Sequence, residues 1–150
     1  MSVIIISDST AEAADLAALA GAARIHDVLA FSHPAGALDW CGANVPDLVF
    51  VDFLMRATDG LEVIHRLRAM PALRDVPIVL MLPHGFEAVS ARAWRYGATD
   101  FLAKPVDPSE FLARSRNLLA LRALRRDSAE IISALRGVER NTGAPFSQVH

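Results

Sequence analysis

The sequence predicts an α/β protein: a doubly wound, five-stranded parallel sheet with an extended C-terminal helix. Two observations predict it. Five short apolar runs recur along the chain, each followed by a segment able to form a helix. The runs are apolar on both faces, as strands covered by helices on both sides must be. The length of 150 residues suits one compact domain that needs no disulfide or structural metal to fold, and the single cysteine, Cys41, agrees.

Val3 to Ile6 is a β-branched run that stops at Ser7-Asp8-Ser9-Thr10, after which alanines and leucines recur at helical spacing as far as Ala23. Ser9 and Glu12 fit a capping box, hydroxyl and carboxylate each satisfying an orphan amide at the helix start. The other strands are expected at Val28 to Phe31, Leu48 to Val51, Ile78 to Leu82 and Phe101 to Ala103. Gly97 should cap a helix over Phe86 to Tyr96, and Asp107-Pro108-Ser109-Glu110 opens the last helix with a cap, a first-turn proline and an N3 carboxylate.

That helix runs on. Leu121, Leu124, Ser128, Ile131, Leu135 and Val138 alternate three and four residues apart, with Arg122, Arg125, Arg126, Arg136, Arg140, Glu130 and Glu139 on the flanks. The spacing predicts a coiled-coil seam or an amphipathic helix folded back onto the domain. Asn141-Thr142-Gly143-Ala144-Pro145 should end it and leave a loose tail. The expected division is therefore 1–120 for the domain and 121–150 for a helical extension, a coiled coil or a linker to an output domain, with its tail.

Fifteen Lys and Arg against seventeen Asp and Glu give a net charge of -2, which offers no general attraction to nucleic acid or an anionic membrane. No apolar stretch is long enough to span a bilayer. The start lacks a basic leader, and with a lone thiol this predicts a cytoplasmic location.

In such a sheet, ligands gather outside the carboxyl ends of the strands, where the strand order reverses. The strand ends carry Asp8, Asp52, Leu82 to His84, and Lys104. Two carboxylates meeting there would repel each other unless a cation and the lysine relieved them. Few carboxylates suit Mg²⁺, which keeps several waters and completes its shell with phosphate oxygens. Neither a G-x-x-x-x-G-K-[ST] loop nor a G-x-G-x-x-G fingerprint is present, so any phosphate handled should be carried by a side chain. His26, His33 and His65 lack the spacing of a metal site.

The string Pro46-Asp47-Leu48-Val49-Phe50-Val51-Asp52, continuing to Thr58-Asp59-Gly60-Leu61-Glu62-Val63, resembles the third strand and following loop of two-component response-regulator receiver domains. So do Ser7-Asp8 after the first strand and Gly97-Ala98-Thr99-Asp100-Phe101-Leu102-Ala103-Lys104-Pro105 at the fifth. The likeness covers about residues 1 to 120 and implies a flavodoxin-like receiver fold. It implies that Asp52 accepts a phosphoryl group from a sensor histidine kinase or histidine phosphotransfer protein. Asp8 and Asp52 would hold Mg²⁺ with the backbone carbonyl of Leu54, Lys104 would pair with the phosphoryl group, and the Lys104-Pro105 bond would be cis.

Four positions depart from the family pattern. Ser7 stands where an acid is usual, and would hold only a metal-bound water. Leu82, followed by Pro83, replaces a Ser or Thr that would donate to the phosphoryl group, and it fills the space that the aromatic switch residue, here Phe101, would enter. Arg56 replaces a proline. His84 lies where side chains are thought to tune dephosphorylation. The reading that follows is a receiver that signals as a homodimer through the fourth helix, fifth strand and last helix, with Trp94, Phe101 and Leu112 near that face, and with no direct contact to nucleic acid or membrane. Its rivals are a degenerate receiver acting as a phosphorylation-independent interaction module and a small phosphohydrolase using Asp8 and Asp52.

Overall fold

A computed structural model describes residues 1–25 and 27–141, the side chain of residue 141 excepted. The strands are β1 (Val3–Ile6), β2 (Val28–Phe31), β3 (Leu48–Asp52), β4 (Ile78–Pro83) and β5 (Asp100–Lys104). The helices are α1 (Thr10–Ala22), α2 (Pro34–Ala43), α3 (Gly60–Arg68), α4 (Val89–Tyr96) and α5 (Pro108–Asn141), with a 3-10 turn at Pro71–Leu73. All strands are parallel, in the order β2-β1-β3-β4-β5, so the order reverses beside β1 and β3. This is the doubly wound, five-stranded parallel sheet that the apolar runs foretell, with the flavodoxin-like strand order that the resemblance implies.

Alternation along each strand sorts side chains into two cores. Ile4, Ile6, Val49, Val51 and Leu80 pack with Leu61, Ile64, Leu67 and Ala93 of α3 and α4. Val3, Ile5, Phe50, Val79 and Met81 face Ala13, Leu16 and Ala20 of α1 and Phe111 and Leu118 of α5. The central strands β1 and β3 are buried throughout, whereas β2 and β5, at the edges, keep partly exposed positions.

Boundaries move by a few residues. Asp52, Asp100 and Lys104 join the ladder beyond the apolar runs, because a polar side chain at a strand end leaves the backbone free to pair, and Pro83 follows Leu82 into register with Lys104. The fourth helix starts at Val89 rather than Phe86. Gly85 has φ +92 and donates its N–H to the Glu87 carboxylate, which shapes the preceding residues as turns. Gly97 caps this helix with φ +108. The Lys104–Pro105 peptide is cis.

Only half of the expected capping box forms. Ser9 Oγ accepts the Glu12 N–H at 3.4 Å, but Ser9 N–H donates to Ser7 Oγ at 3.2 Å and the Glu12 carboxylate turns to Lys104. An ammonium is a stronger partner for a carboxylate than a backbone amide that already has an acceptor.

The 34 residues of α5 make a helix about 50 Å long. Its first turns bury Phe111, Ser115 and Leu118, and three arginines then fasten it to the amino edge of the sheet. Arg122 Nε and Arg126 Nη1 lie 3.5 and 3.1 Å from Asp47 Oδ1, and Arg125 donates to the Asp75 carbonyl at 3.4 Å. These arginines are anchors as well as flank charges. Between and beyond them the stripe of Leu124, Ile131, Leu135 and Val138 is exposed, as is Ile132, so the helix does not fold back to bury it. The expected helix stop at Thr142 to Pro145, the tail, and His26 lie outside the described residues. Among the described residues, no helix is long and apolar enough to cross a membrane.

Candidate functional site

The site grows from the carboxyl ends of β1, β3 and β5. Asp52 closes β3 and is only 2% exposed. A bare buried carboxylate would be costly, so both oxygens are engaged. Oδ1 accepts from Lys104 Nζ at 2.9 Å, and Oδ2 accepts from the hydroxyl of Ser7, itself buried directly after β1. Lys104, the last residue of β5, places its ammonium between Asp52 and Glu12, whose Oε2 lies 2.5 Å away. Burial pulls the Lys104 pKa down, but the hydrogen bonds it donates to Glu12 and Asp52 and their charges outweigh it, so the ammonium is held above the ordinary lysine value. Ser7, Glu12, Asp52, Met81, Lys104 and Pro105 line a hollow of about 170 Å³.

The loop after Asp52 is fixed by Asp59-Gly60. Asp59 caps α3 by accepting the Glu62 N–H at 3.0 Å, and Gly60 donates its own N–H to the Phe53 carbonyl at 2.8 Å. A Cβ on Gly60 would lie 2.5 Å from the Asp52 carbonyl, so only glycine lets α3 start this close to the site.

Asp8 stands one residue beyond Ser7 but does not line the same hollow. Its Oδ2 accepts the backbone N–H of Arg56 at 2.8 Å, and it shares a neighbouring depression with Thr10, Met55 and Arg56. Leu54 is exposed in the loop between. Among the described residues, no three His, Cys, Asp or Glu side chains form a metal cluster. The donors still fit Mg²⁺ in kind: two carboxylates at adjoining strand ends and nearby backbone carbonyls supply hard oxygens, and this ion asks for only one or two protein carboxylates.

Leu82 is buried in the core beside Leu80, on the α3 and α4 side of the sheet. Phe101 is half-buried, edge-on to the exposed Trp94 with ring centroids 4.5 Å apart. Together with Pro83, Ser90, Glu110 and Arg114, Leu82 and Phe101 line a shallow surface hollow. His84 is almost wholly exposed, with Nδ1 3.6 Å from Glu87. The structure therefore gathers Asp52, Lys104 and Ser7 and sets Asp8 alongside. Sequence reasoning missed Glu12, whose spacing from Ser9 pointed to helix capping alone.

The response regulator receiver domain family matches residues 3–116, and the chain belongs to it. Over 92 residues the chain is 46% identical to the cyclic di-GMP phosphodiesterase response regulator RpfG of Xanthomonas campestris pv. campestris (strain 8004), covering 61% of this chain and 24% of that protein. It is 32% identical over 92 residues to the phosphate regulon transcriptional regulatory protein PhoB of Rhizobium meliloti (strain 1021), covering 61% of this chain and 38% of that one. The chain thus spans about a quarter to two fifths of these two relatives. Among solved structures, a response regulator from Chloroflexus aurantiacus J-10-fl superposes with TM-score 0.74 at 28% identity, over 79% of this chain and 97% of that one. NtrX from Brucella abortus shares the fold, with TM-score 0.78 at 21% identity over 87% of this chain and 30% of that one. Receivers are signalling domains of two-component systems.

Proposed function

We propose that Asp52 accepts a phosphoryl group from a phosphohistidine on a sensor histidine kinase or a histidine phosphotransfer protein, in the cytoplasm. The observation that carries this reading is a buried aspartate at a strand end, with one oxygen on a lysine, one on a hydroxyl, and a hollow beside it. Transfer of this kind needs positioning and charge neutralisation more than covalent machinery. An Asp52 oxygen attacks phosphorus as the bond to the imidazole nitrogen breaks, and the imidazole leaves with the electron pair. Lys104, already 2.9 Å from the nucleophile, follows the charge outward onto the phosphoryl oxygens. Ser7 holds the second oxygen and so fixes the carboxylate plane. Asp8, Asp52 and the Leu54 carbonyl would hold Mg²⁺, with Ser7 reaching it only through a water. The ion would supply further neutralisation of the transferring group.

Phosphorylation would be read out through the α4, β5 and α5 face and the exposed stripe of α5, by pairing with a second copy. Trp94 and Leu124 to Val138 are the apolar contacts available for it. A degenerate receiver that works as an interaction module remains the second reading, and one observation favours it: Leu82, buried in the core, offers the phosphoryl group no donor and leaves Phe101 under Trp94 without the usual hydroxyl to follow.

Intact mass after incubation with acetyl phosphate and Mg²⁺ tests the first reading. The expected result is a gain of one phosphoryl group in the parent and none in Asp52→Asn. Equal gains in both would remove Asp52 from the role.

A further inference from the structure

We propose that Glu12 is a positioning residue that restrains the site, holding Lys104 ready beside Asp52 while opposing accumulation of the phosphorylated form. The inference rests on Asp52 as phosphoacceptor and goes beyond it. The N3 carboxylate of α1 abandons the helix cap, where Ser9 N–H is already bound to Ser7, and lies 2.5 Å from the Lys104 ammonium. Lys104 is thereby shared between two carboxylates, and both line the one hollow next to Asp52.

The charge balance gives the direction. At rest, Asp52 and Glu12 carry one negative charge each and Lys104 one positive. When the Asp52 oxygen takes phosphorus from acetyl phosphate, the oxygen–phosphorus bond of the donor breaks and acetate leaves with the electron pair. The carboxylate becomes a neutral acyl oxygen bearing a phosphoryl dianion, so the site gains one negative charge. Glu12 faces that extra charge, and it also competes with the phosphoryl oxygens for the lysine. Both effects disfavour the phosphorylated state, and the first holds even where Lys104 touches Glu12 and the phosphoryl group together. The Glu12 side chain is half exposed, so the effect is that of a partly screened charge.

The test compares the parent with Glu12→Gln, Glu12→Ala and Ser9→Ala. Titration with beryllofluoride in Mg²⁺ should give about three- to fivefold tighter binding in both Glu12 variants, the scale of one such charge, and phosphoryl groups from acetyl phosphate should persist longer by a similar factor. The difference should shrink in high salt. Ser9→Ala, which removes the helix cap but keeps the ion pair, should bind like the parent. Parent-like binding in the Glu12 variants, or the same gain in Ser9→Ala, would overturn the inference while leaving Asp52 in place. Absence of binding in the parent and all variants would overturn both. A double-mutant cycle between Glu12→Gln and Lys104→Met, on urea unfolding of the metal-free protein, gives a readout that needs no phosphoryl group: coupling is expected, and zero coupling would overturn the pairing.

Discussion

Two buried aspartates stand at opposite ends of β3 and are compensated in opposite ways. Asp47, just before the strand, accepts the Ser2 N–H at 2.9 Å and pairs with Arg122 and Arg126 of α5. Asp52, at its other end, has one lysine and one hydroxyl, and a hollow beside it. Guanidinium groups are rigid forks that fix a geometry, whereas an ammonium is a compact charge on a flexible stem that can follow a moving anion. The same residue type at the two ends of one strand is thus an anchor at the amino edge and, under the proposed function, the phosphoacceptor at the carboxyl edge. What differs is the cation.

The sharpest break of this comparison is Asp47→Ala. It leaves Arg122, whose side chain is 12% exposed, without a counter-ion, and should cost about 2–3 kcal/mol in urea unfolding, discounted from a fully buried pair because Arg126 is half exposed. Hydrogen exchange should rise along α5 beyond Leu118 at the same time. A loss below a few tenths of a kcal/mol would show that Asp47 is no anchor.

Leu82→Thr probes the site's missing hydroxyl. It places a polar group in the core and should cost about 1–2 kcal/mol, yet lengthen phosphoryl retention in the intact-mass assay. Shorter retention would count against the part assigned to that position.

Asp52→Asn should change stability by less than about 1 kcal/mol, because Glu12 keeps Lys104 paired when the carboxylate is gone. A loss as large as that of Asp47→Ala would make Asp52 a second anchor.

Alkaline unfolding separates the cations from the rest. Burial pushes the Cys41 thiol from 9.0 to about 11. The folded state then favours the protonated form more than the unfolded chain does, so this contribution is whole below pH 9 and is lost as pH rises to about 11. Lys104, also held above its ordinary value, has the same sign and acts above the ordinary lysine range. In a Cys41→Ala background, the parent should lose stability above that range and Lys104→Met should lose less. Identical slopes would deny the lysine its place between two carboxylates.

The sheet was legible because apolar runs of the kind Val3 to Ile6 and Leu48 to Val51 suit only strands buried on both faces. Gly97 was legible as a cap because a left-handed residue is needed there. The meeting of Asp52 and Lys104 followed from the rule that places strand ends on one edge. Roles that depend on which of several partners wins were not legible. Ser9 and Glu12 satisfy a local capping pattern, and only the fold, which brings Lys104 at the end of β5 to Glu12, offers it an ammonium instead. Arg122 and Arg126 read as surface charges because Asp47 is 75 and 79 residues away in sequence.

The most direct test is a crystal structure of the parent with Mg²⁺ and beryllofluoride. The beryllium should be bonded to an Asp52 carboxylate oxygen, with the ammonium of Lys104 on a fluorine and the magnesium held by Asp8 and Asp52. Crystals grown in saturating beryllofluoride and Mg²⁺ with an unmodified Asp52, still bound to Ser7 and Lys104, would contradict it.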